Sequence, residues 1–449
     1  MAPRTNTSAP YDGYHQTWTG ASDSVLTQVG PGTPCGEYLR RYWQPVELAR
    51  ELGERPKLIR VLGEDLVLFR DKSDRLGLVH KNCPHRRASM EFGICEGRGI
   101  RCCYHGWLFD VDGTVVEAPG QPDGVEERIQ ASTRLGAYPV REYQGLVFAY
   151  LGPPESVPEF PIYDTLEMPG HEMVPYKAPF HCNWIQVQDA ILDPLHTAFL
   201  HSRMSRQQFS EGFGEIGEMK FYERPSGYIG TATRRVDDNV WVRVNELVLP
   251  NYTQAGAAFA ADGTAQRYFG RTSFARWVVP LDDTETMCFA WAVFGDRGDP
   301  QEYNTPEGPE LIEQGEVFDR PYEERQRFPA DVEACEGMGV FSEHEKENLV
   351  PSDKGIQMYR RRLRELIGAL QDGKEPPHTT SIWPNPLPTY GGDTVLTVPA
   401  NGGDDRKLLQ KVGMAVMEIQ FAAEHLKGEE RDQQVIAALK TLEAEGVAA

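Results

Sequence analysis

The sequence lacks the features that mark exported, membrane-spanning and nucleic-acid-binding proteins. Its 449 residues contain no apolar run near the roughly 18 residues that span a bilayer, and the N-terminal stretch has no apolar signal-peptide core. Basic residues are scarce, since 46 Lys and Arg stand against 67 Asp and Glu, a net charge of −21 at pH 7. Because such a surface repels phosphate backbones and anionic lipids, we expect neither nucleic acid nor membrane as a partner.

Cysteine is also sparse, and the eight cysteines of the chain are too few for a disulfide scaffold. They are unevenly placed, because Cys83, Cys95 and Cys102 fall within one 20-residue window. Without an export signal, this clustering indicates metal chemistry in a reducing compartment. The sequence therefore predicts a cytoplasmic protein.

The length predicts two or three domains. Residues 1–37 are polar and predict an N-terminal arm that packs on something larger. Residues 38–155 begin with a short helix-like stretch at Tyr38, continue as short strands separated by turns, and end near two prolines. Residues 156–449 combine an interrupted helix, a run of strands consistent with an antiparallel sheet, and helical tracts near the C-terminus. The chain is predicted to be of the α+β class.

Two short motifs in the strand-rich part pair cysteine with histidine. Cys83 and His85 form C-x-H, and after sixteen intervening residues Cys102 and His105 form C-x-x-H. A structural zinc would use all four residues at one tetrahedral ion. A Rieske [2Fe–2S] centre would place both cysteines on one iron and both histidines on the other. The spacing favours the Rieske centre, because one cysteine and one histidine from each hairpin tip let each tip reach both irons.

A second constellation, D-x2-H-x4-H, comprises Asp193, His196 and His201. Two histidines and a remote carboxylate would form the facial triad of mononuclear iron(II), which leaves positions open for O2 and substrate. On an ideal helix the two histidines diverge by about 140°. They can share an ion only if the helix bulges or breaks, and Pro194 lies two residues before His196. The alternative is two ordinary helix histidines.

These motifs resemble those of the Rieske non-haem iron oxygenases. The stretch CPHRRASMEFGICEGRGIRCCYHGWLFDVDG is most similar to the oxygenase component in the phthalate dioxygenase branch, and the resemblance extends from about Tyr38 to about Leu370. It implies a small antiparallel β Rieske domain and a helix-grip catalytic domain with a central antiparallel sheet and C-terminal helices. It also implies one [2Fe–2S] cluster and one mononuclear iron(II) per chain.

The resemblance further assigns roles to individual residues. Asp193 would bridge the two metal centres across a subunit boundary, accepting N–H groups from a Rieske histidine of the next subunit and from His196. The third iron ligand would be Asp331, with Glu333 and Glu336 as the competing carboxylates. Truncation of Asp193 is expected to stop electron flow without emptying either site.

Phthalate-type relatives imply an aromatic, carboxylated substrate, and a carboxylate calls for arginine. The candidates are Arg203, Arg234, Arg235 and Arg243, of which we favour Arg203 and Arg243; the alternative is that they are solvent-exposed sheet arginines. Asp189 stands where the family often carries asparagine, which leaves its part in the iron pocket open.

The resemblance implies a ring-hydroxylating dioxygenase component that dihydroxylates its substrate, and a monooxygenase for aryl O-demethylation or single hydroxylation is the nearest alternative. A Rieske electron carrier without catalytic iron and a zinc-stabilised binding module are alternatives of other classes. The chain has no G-x-G-x-x-G dinucleotide fingerprint. A separate reductase is therefore expected, and the resemblance implies one that draws on NAD(P)H through flavin. The resemblance also implies electron transfer between subunits, so a homotrimer or stacked trimers would bring the metal centres of neighbouring subunits together.

Overall fold

Antiparallel strands come in long runs, with the longest helices near the C-terminus, which confirms the α+β class. A computed structural model describes residues 13–16, 19–203, 211–256, 267–298, 320–400 and 402–446. The strands in these ranges are β1 Trp43–Leu48, β2 Lys57–Val61, β3 Glu64–Arg70, β4 Leu76–His80, β5 Ile94–Cys95, β6 Ile100–Arg101, β7 Leu108–Phe109, β8 Val115–Glu117, β9 Ala137–Tyr138, β10 Val140–Tyr143, β11 Leu146–Tyr150, β12 Glu172–Phe180, β13 Glu218–Arg224, β14 Gly227–Val236, β15 Asn239–Val248, β16 Tyr252–Ala255, β17 Phe274–Pro280, β18 Thr286–Phe294 and β19 Gly392–Thr397. The α-helices are α1 Ser24–Thr27, α2 Pro34–Leu39, α3 Val125–Ser132, α4 Trp184–Asp189, α5 Pro194–Ala198, α6 Tyr322–Arg327, α7 Asp331–Gly337, α8 Lys354–Gln371, α9 Asp405–Ala422 and α10 Gly428–Glu445. Within the described ranges, no helix is both long and apolar enough to cross a membrane.

Three small antiparallel sheets form the strand-rich part, in the orders β1-β11-β10, β2-β3-β4-β9 and β5-β6-β7-β8. The third of these sheets carries one cysteine–histidine motif between β6 and β7. One hydrophobic cluster includes Leu39 and Phe148 from this part together with Tyr252 and Trp277 from the larger sheet. The two parts therefore pack on a shared core, and the predicted domain bounds stay a prediction.

The larger part is built on an eight-stranded antiparallel sheet in the order β12-β18-β17-β16-β15-β14-β13, with β19 paired to β15. Alternation along β15 separates the two faces of the sheet. Val242 and its neighbours of the same parity pack in a cluster with residues of α9, such as Val412. Residues of the opposite parity, including Asn245, face the segment that leads to the two histidines, because the Asn245 amide donates to the Ile191 carbonyl at 3.0 Å.

Several predicted elements are confirmed and some were not predicted. The predicted helical tracts near the C-terminus form α8, which buries one face that includes Tyr359 and Leu363, and α9 and α10, which pack on the sheet of the same chain. Strand β12 was not predicted because Pro175 and Pro179 interrupt its pattern, and it tolerates them at the edge of the sheet. The helix expected from Tyr38 was misplaced, since α2 already ends at Leu39.

The described residues of the N-terminal arm pack on the larger part. Leu26, Val29 and Cys35 are fully buried, and helices α1 and α2 contact α8. Residues 1–12 and 17–18 of the arm lie outside the described residues. The arm therefore contributes to the same core as the helices that surround the histidines.

Candidate metal centres

The first cysteine–histidine motif sits on a tight hairpin tip, residues 83–88. The N–H of Cys83 donates to the carbonyl of Ala88 at 2.9 Å, and the N–H of Arg87 donates back to the carbonyl of Cys83 at 2.9 Å. Arg87 has a positive φ of 63°, which few side-chain-bearing residues adopt. The tip thus turns the chain within five residues and leaves the side chains of positions 83 and 85 on the loop.

The second motif sits on a tip with the same backbone hydrogen bonds, residues 102–107. The N–H of Cys102 donates to the carbonyl of Trp107 at 2.8 Å, and the N–H of Gly106 donates to the carbonyl of Cys102 at 3.1 Å. Gly106 has φ of 72° at the position that Arg87 occupies in the first tip. We refer to residues 83–88 and 102–107 as the cluster tips. Their shared geometry makes the two cysteines equivalent.

The cluster tips place the thiols inside and the imidazoles outside. Cys83 and Cys102 are buried, and burial together with the neighbouring Cys102 thiol raises the pKa of the Cys83 thiol to about 11. The ring centroids of His85 and His105 lie 4.6 Å apart, and His85 also stacks on Trp107 at 4.7 Å with an interplanar angle of 3°. Burial, followed by the charge of the neighbouring His105, lowers the pKa of His85 and favours the neutral ring that binds metal.

This arrangement fits two metal ions better than one. In the described part of the chain, the one group of three or more metal-binding side chains whose ligand atoms lie within 4.8 Å of one another is elsewhere, at His196, His201 and Asp331. The ligand atoms of a tetrahedral zinc would lie within about 4 Å of one another. Paired thiols and paired imidazoles that do not converge on one point match a [2Fe–2S] cluster, in which each iron takes one pair.

The neighbouring cysteines behave differently from the two in the tips. Cys95 is buried, as expected for a small apolar residue in the core. Cys103, which is one residue too close to His105 for the C-x-x-H spacing, is exposed. An exposed position directly after the buried Cys102 follows from the sharp turn of the tip.

The two histidines of the second motif lie on either side of a change in helix type. His196 belongs to α5, and His201 belongs to a π-helical segment, Phe199–Arg203. Because a π-helix bonds residue i to residue i+5, it brings side chains five residues apart towards the same face. The predicted bulge is confirmed, and it removes the divergence of an ideal helix. A π-turn of this kind is a frequent feature of functional sites.

Asp331 meets both histidines from another part of the chain. Its Oδ1 lies 3.7 Å from Nε2 of His196 and 3.4 Å from Nε2 of His201, and the two rings are 5.3 Å apart. Burial alone would raise the pKa of Asp331, but the adjacent His201 and His196 hold it well below its ordinary value. One carboxylate and two imidazoles that meet at one point are the donor set of a facial iron(II) triad. We refer to these three residues as the ligand triad.

The competing carboxylates on α7 are engaged elsewhere. Glu333 receives hydrogen bonds from Arg320 and Arg325, each at 2.7 Å. Glu336 accepts the backbone N–H of His181 at 2.9 Å. Neither Glu333 nor Glu336 belongs to the group of converging ligand atoms. The geometry therefore favours Asp331, at the start of α7, as the third metal ligand.

Asp193 caps the helix that carries His196. Its Oδ1 accepts the N–H groups of Leu195 at 3.1 Å and His196 at 3.3 Å, and its backbone oxygen contacts Nδ1 of the His196 ring. Because a carbonyl oxygen only accepts, Nδ1 carries the proton and Nε2 presents its lone pair to the ligand triad. The backbone carbonyl of Asp193 thus orients the His196 ring. The resemblance predicted this role for the Asp193 carboxylate, whose Oδ2 lies 3.8 Å from Nδ1.

The two favoured arginines have different surroundings. Arg243 is buried on β15, with Nη1 3.7 Å from Oδ1 of Asp393 and the guanidinium 4.9 Å from the ring of Phe213. Its Nε has no hydrogen-bond partner among the described residues. Arg203 is exposed, and its Nε donates to the carbonyl of Gly214 at 2.6 Å. Of the two, Arg243 is the one held in a buried site.

The adjacent pair Arg234 and Arg235 point to opposite faces of the sheet. Arg235 forms an ion pair with Asp405 of α9 at 2.6 Å. Arg234 is fully buried and donates to the hydroxyl of Thr197 at 3.1 Å, one residue after a histidine of the ligand triad. Sequence reasoning missed Arg276, whose charge lowers the pKa of Asp331, because nothing in the alternation of β17 marks it.

Asp189 is held in a buried charge cluster. Its Oδ2 accepts from Nε of Arg360 at 2.9 Å and from Nη2 at 2.5 Å, and Arg360 also pairs with Glu347 at 2.5 Å. Burial, opposed by Arg360, raises the pKa of Asp189 to about 6. The resemblance left the part of Asp189 in the iron pocket open, and the sequence did not reveal its arginine, which is 171 residues away.

Comparisons with known proteins agree with this picture. Residues 42–143 match the family described as "Rieske [2Fe-2S] domain". The chain is 40% identical to the tert-butanol monooxygenase / tert-amyl alcohol desaturase oxygenase subunit of Aquincola tertiaricarbonis, over 93% of each chain. It is 39% identical to the phenoxybenzoate dioxygenase subunit alpha of Ectopseudomonas oleovorans, over 81% of this chain and 88% of the other.

A solved structure shares the fold at lower identity. Dicamba monooxygenase bound to dicamba superposes with a TM-score of 0.59 and 18% identity, covering 75% of this chain and all of the other. The coverage of this structure and of the two relatives shows that the similarity extends beyond the strand-rich part into the part that contains the larger sheet. The chain therefore belongs to the Rieske non-haem iron oxygenases and is an oxygenase subunit, in a family that carries a Rieske [2Fe–2S] cluster and a mononuclear iron.

Proposed function

We propose that this subunit oxidises an aromatic, carboxylated substrate at the ligand triad, with electrons that enter through a cluster held by the two cluster tips. The observation that supports this most directly is the convergence of one carboxylate and two imidazoles within 4.8 Å on the same chain as a Rieske domain. Bound iron(II) would supply O2 activation, and the [2Fe–2S] cluster would supply single electrons. In this proposal the cluster ligands are Cys83, His85, Cys102 and His105.

The residues of the chain prepare the site for this chemistry. The backbone oxygen of Asp193 fixes the tautomer of His196, and the Asp193 carboxylate caps the same helix. The carboxylate remains 28% exposed, so Oδ2 is accessible to a donor from outside the chain. We assign that donor to a cluster histidine of a neighbouring subunit, which makes Asp193 the bridge and requires a head-to-tail homotrimer or stacked trimers.

Arg243 is the proposed contact for a substrate carboxylate. It is buried, faces the same side of the sheet as the histidine-bearing segment, and has donor capacity that no described residue uses. The name of the phenoxybenzoate dioxygenase relative is consistent with an aromatic acid. Arg203 and Asp189 remain weaker candidates, because one is exposed and the other is paired with Arg360.

Monooxygenation is the second candidate, as a single hydroxylation or an aryl O-demethylation. The relative at 40% identity is named as a monooxygenase of tert-butanol, a substrate without ring or carboxylate. Dihydroxylation places both atoms of O2 in the product, and monooxygenation places one. Product mass under labelled O2, measured over a panel of aromatic acids, aryl ethers and tertiary alcohols, separates the two candidates.

The remaining parts of the system follow from the same proposal. Electrons would come from a separate NAD(P)H-dependent reductase of the flavin or iron–sulfur type, in the cytoplasm. The arm would comprise residues 1–37, the Rieske domain residues 38–155, and the catalytic domain with its C-terminal helices residues 156–449. Size-exclusion chromatography with light scattering tests the trimer, and a fully active monomer would refute the bridging role of Asp193.

Metal analysis tests the central assignment. The proposal requires about three iron atoms per chain, two in the cluster and one in the ligand triad, whereas an electron carrier would hold about two. His196→Ala should lose the third iron and keep the visible Rieske spectrum. Loss of the cluster together with the third iron would mean that the two sites have been confused.

A further inference from the structure

One buried amide joins the two separately encoded halves of the ligand triad. Gln186 of α4 is 3% exposed, and its Nε2 donates to the backbone carbonyls of Cys335 at 2.7 Å and Gly339 at 2.9 Å. Its Oε1 accepts the backbone N–H of Ser342 at 2.9 Å. Both amide hydrogens and one acceptor site are therefore used, and all three partners belong to one stretch, residues 335–342.

The positions of these partners give the amide its importance. Helix α4 leads directly into the turn and helices that carry the two histidines, and Cys335 lies one helical turn after Asp331 on α7. The thiol of Cys335 donates back to the carbonyl of Gln186 at 3.7 Å. The N–H of Asn183, at the start of α4, donates to the carbonyl of Val340 at 2.8 Å. Helix α4 and the segment that contains α7 are thus fixed to each other.

We propose that Gln186 is a positioning residue that sets the spacing between the histidines and Asp331. The inference rests on the proposed assignment of the ligand triad as the iron site. A metal site needs its ligands held within about 0.5 Å of the required geometry, and residues that hold the ligands contribute about 10- to 100-fold to metal affinity. Gln186 acts through the backbone of two helices and touches none of the reacting atoms.

The chain provides a matched control two residues away. Gln188 lies on the same helix and is fully buried, but neither atom of its amide has a hydrogen-bond partner among the described residues. Replacing either glutamine by methionine keeps the length of the side chain and removes one buried amide. The two variants differ in whether that amide links α4 to residues 335–342.

The experiment compares Gln186→Met, Gln188→Met and the unaltered protein, each purified with its cluster. Iron(II) affinity is measured by competition with a chelator, cluster content by visible absorption, and site geometry by EPR of the nitric oxide adduct. We expect Gln186→Met to bind iron(II) about 10- to 100-fold more weakly with a broadened EPR signal. Gln188→Met should match the unaltered protein, and all three should have the same cluster content.

Iron affinity of Gln186→Met equal to that of the unaltered protein would overturn the inference, as would an equal loss in Gln188→Met. If Gln186→Met fails to fold, Gln186→Glu serves instead, because it keeps the acceptor for Ser342 and removes donors to the two carbonyls. His196→Ala is measured in parallel. If it retains the third iron, the assignment of the ligand triad is wrong; if it loses that iron while Gln186→Met and Gln186→Glu keep full affinity, the positioning role alone is wrong.

Discussion

Asp189→Asn tests the buried charge cluster behind the ligand triad. Two carboxylates, Asp189 and Glu347, share the guanidinium of Arg360, so the cluster carries one excess negative charge when both are ionised. Asp189 is the more deeply buried of the two. Burial raises its pKa and Arg360 lowers it, and the net result is a pKa of about 6 instead of the ordinary 3.8. Asparagine keeps the shape of the side chain and has no charge to bury.

The sign of the effect follows from the direction of the shift. A carboxyl group whose pKa is raised by folding stabilises the folded state at low pH, and this contribution is lost as pH rises through the folded-state pKa. The shift from 3.8 to about 6 corresponds to a total loss of about 3 kcal/mol, about half of it between pH 5 and 8. The variant avoids this loss, so its stability relative to the unaltered protein should increase with pH.

Urea unfolding monitored by tryptophan fluorescence, at several pH values from 5 to 8, measures the difference between the two proteins. Asp164→Asn is the control, because Asp164 is also buried but pairs with Arg271 and Arg431, which lower its pKa. Its contribution is complete above the unfolded-state pKa and is lost only as pH falls below it, so the destabilisation of this variant should stay nearly constant from pH 5 to 8. A difference for Asp189→Asn that stays constant from pH 5 to 8 would refute the reasoning.

Three further predictions concern the metal centres and the substrate. Asp193→Ala should keep the cluster and the third iron yet lose nearly all turnover in a coupled assay, and normal product formation would refute the bridge. Cys102→Ser should lose the Rieske EPR signal while Cys103→Ser keeps it, because Cys102 is buried and Cys103 is exposed. Arg243→Gln should raise KM for an aromatic acid by about tenfold or more with little change for a neutral analogue, and equal effects on both would exclude a carboxylate contact.

Features encoded over short distances were predictable from the sequence. The two cluster tips lie within 25 consecutive residues, so the C-x-H and C-x-x-H spacing carries most of their geometry. Helix α8 shows its buried face through the spacing of Tyr359, Leu363 and Ile367. The break in the histidine helix was also predictable, because the proline and the five-residue spacing are incompatible with one uniform α-helix.

Features that depend on distant contacts were not predictable. Arg360 and Gln186 look like ordinary residues on amphipathic helices, and only the fold brings them to Asp189 and to residues 335–342. Strand β12 contains two prolines, which argue against a strand unless it lies at a sheet edge, and sequence alone does not reveal edges. The choice of Asp331 among the carboxylates of α7 rested on the family resemblance, because the ion pairs that occupy Glu333 are visible only in the fold.

The way the ligand triad is assembled explains this division. Its two histidines come from one continuous segment, where a proline-initiated helix and a π-turn convert a five-residue spacing into a common face. Its carboxylate comes from a helix more than a hundred residues later, and no local rule fixes the distance between the two. That distance must be set by contacts between the two segments. The buried side-chain amide of Gln186, which bonds to three backbone groups of residues 335–342, is such a contact.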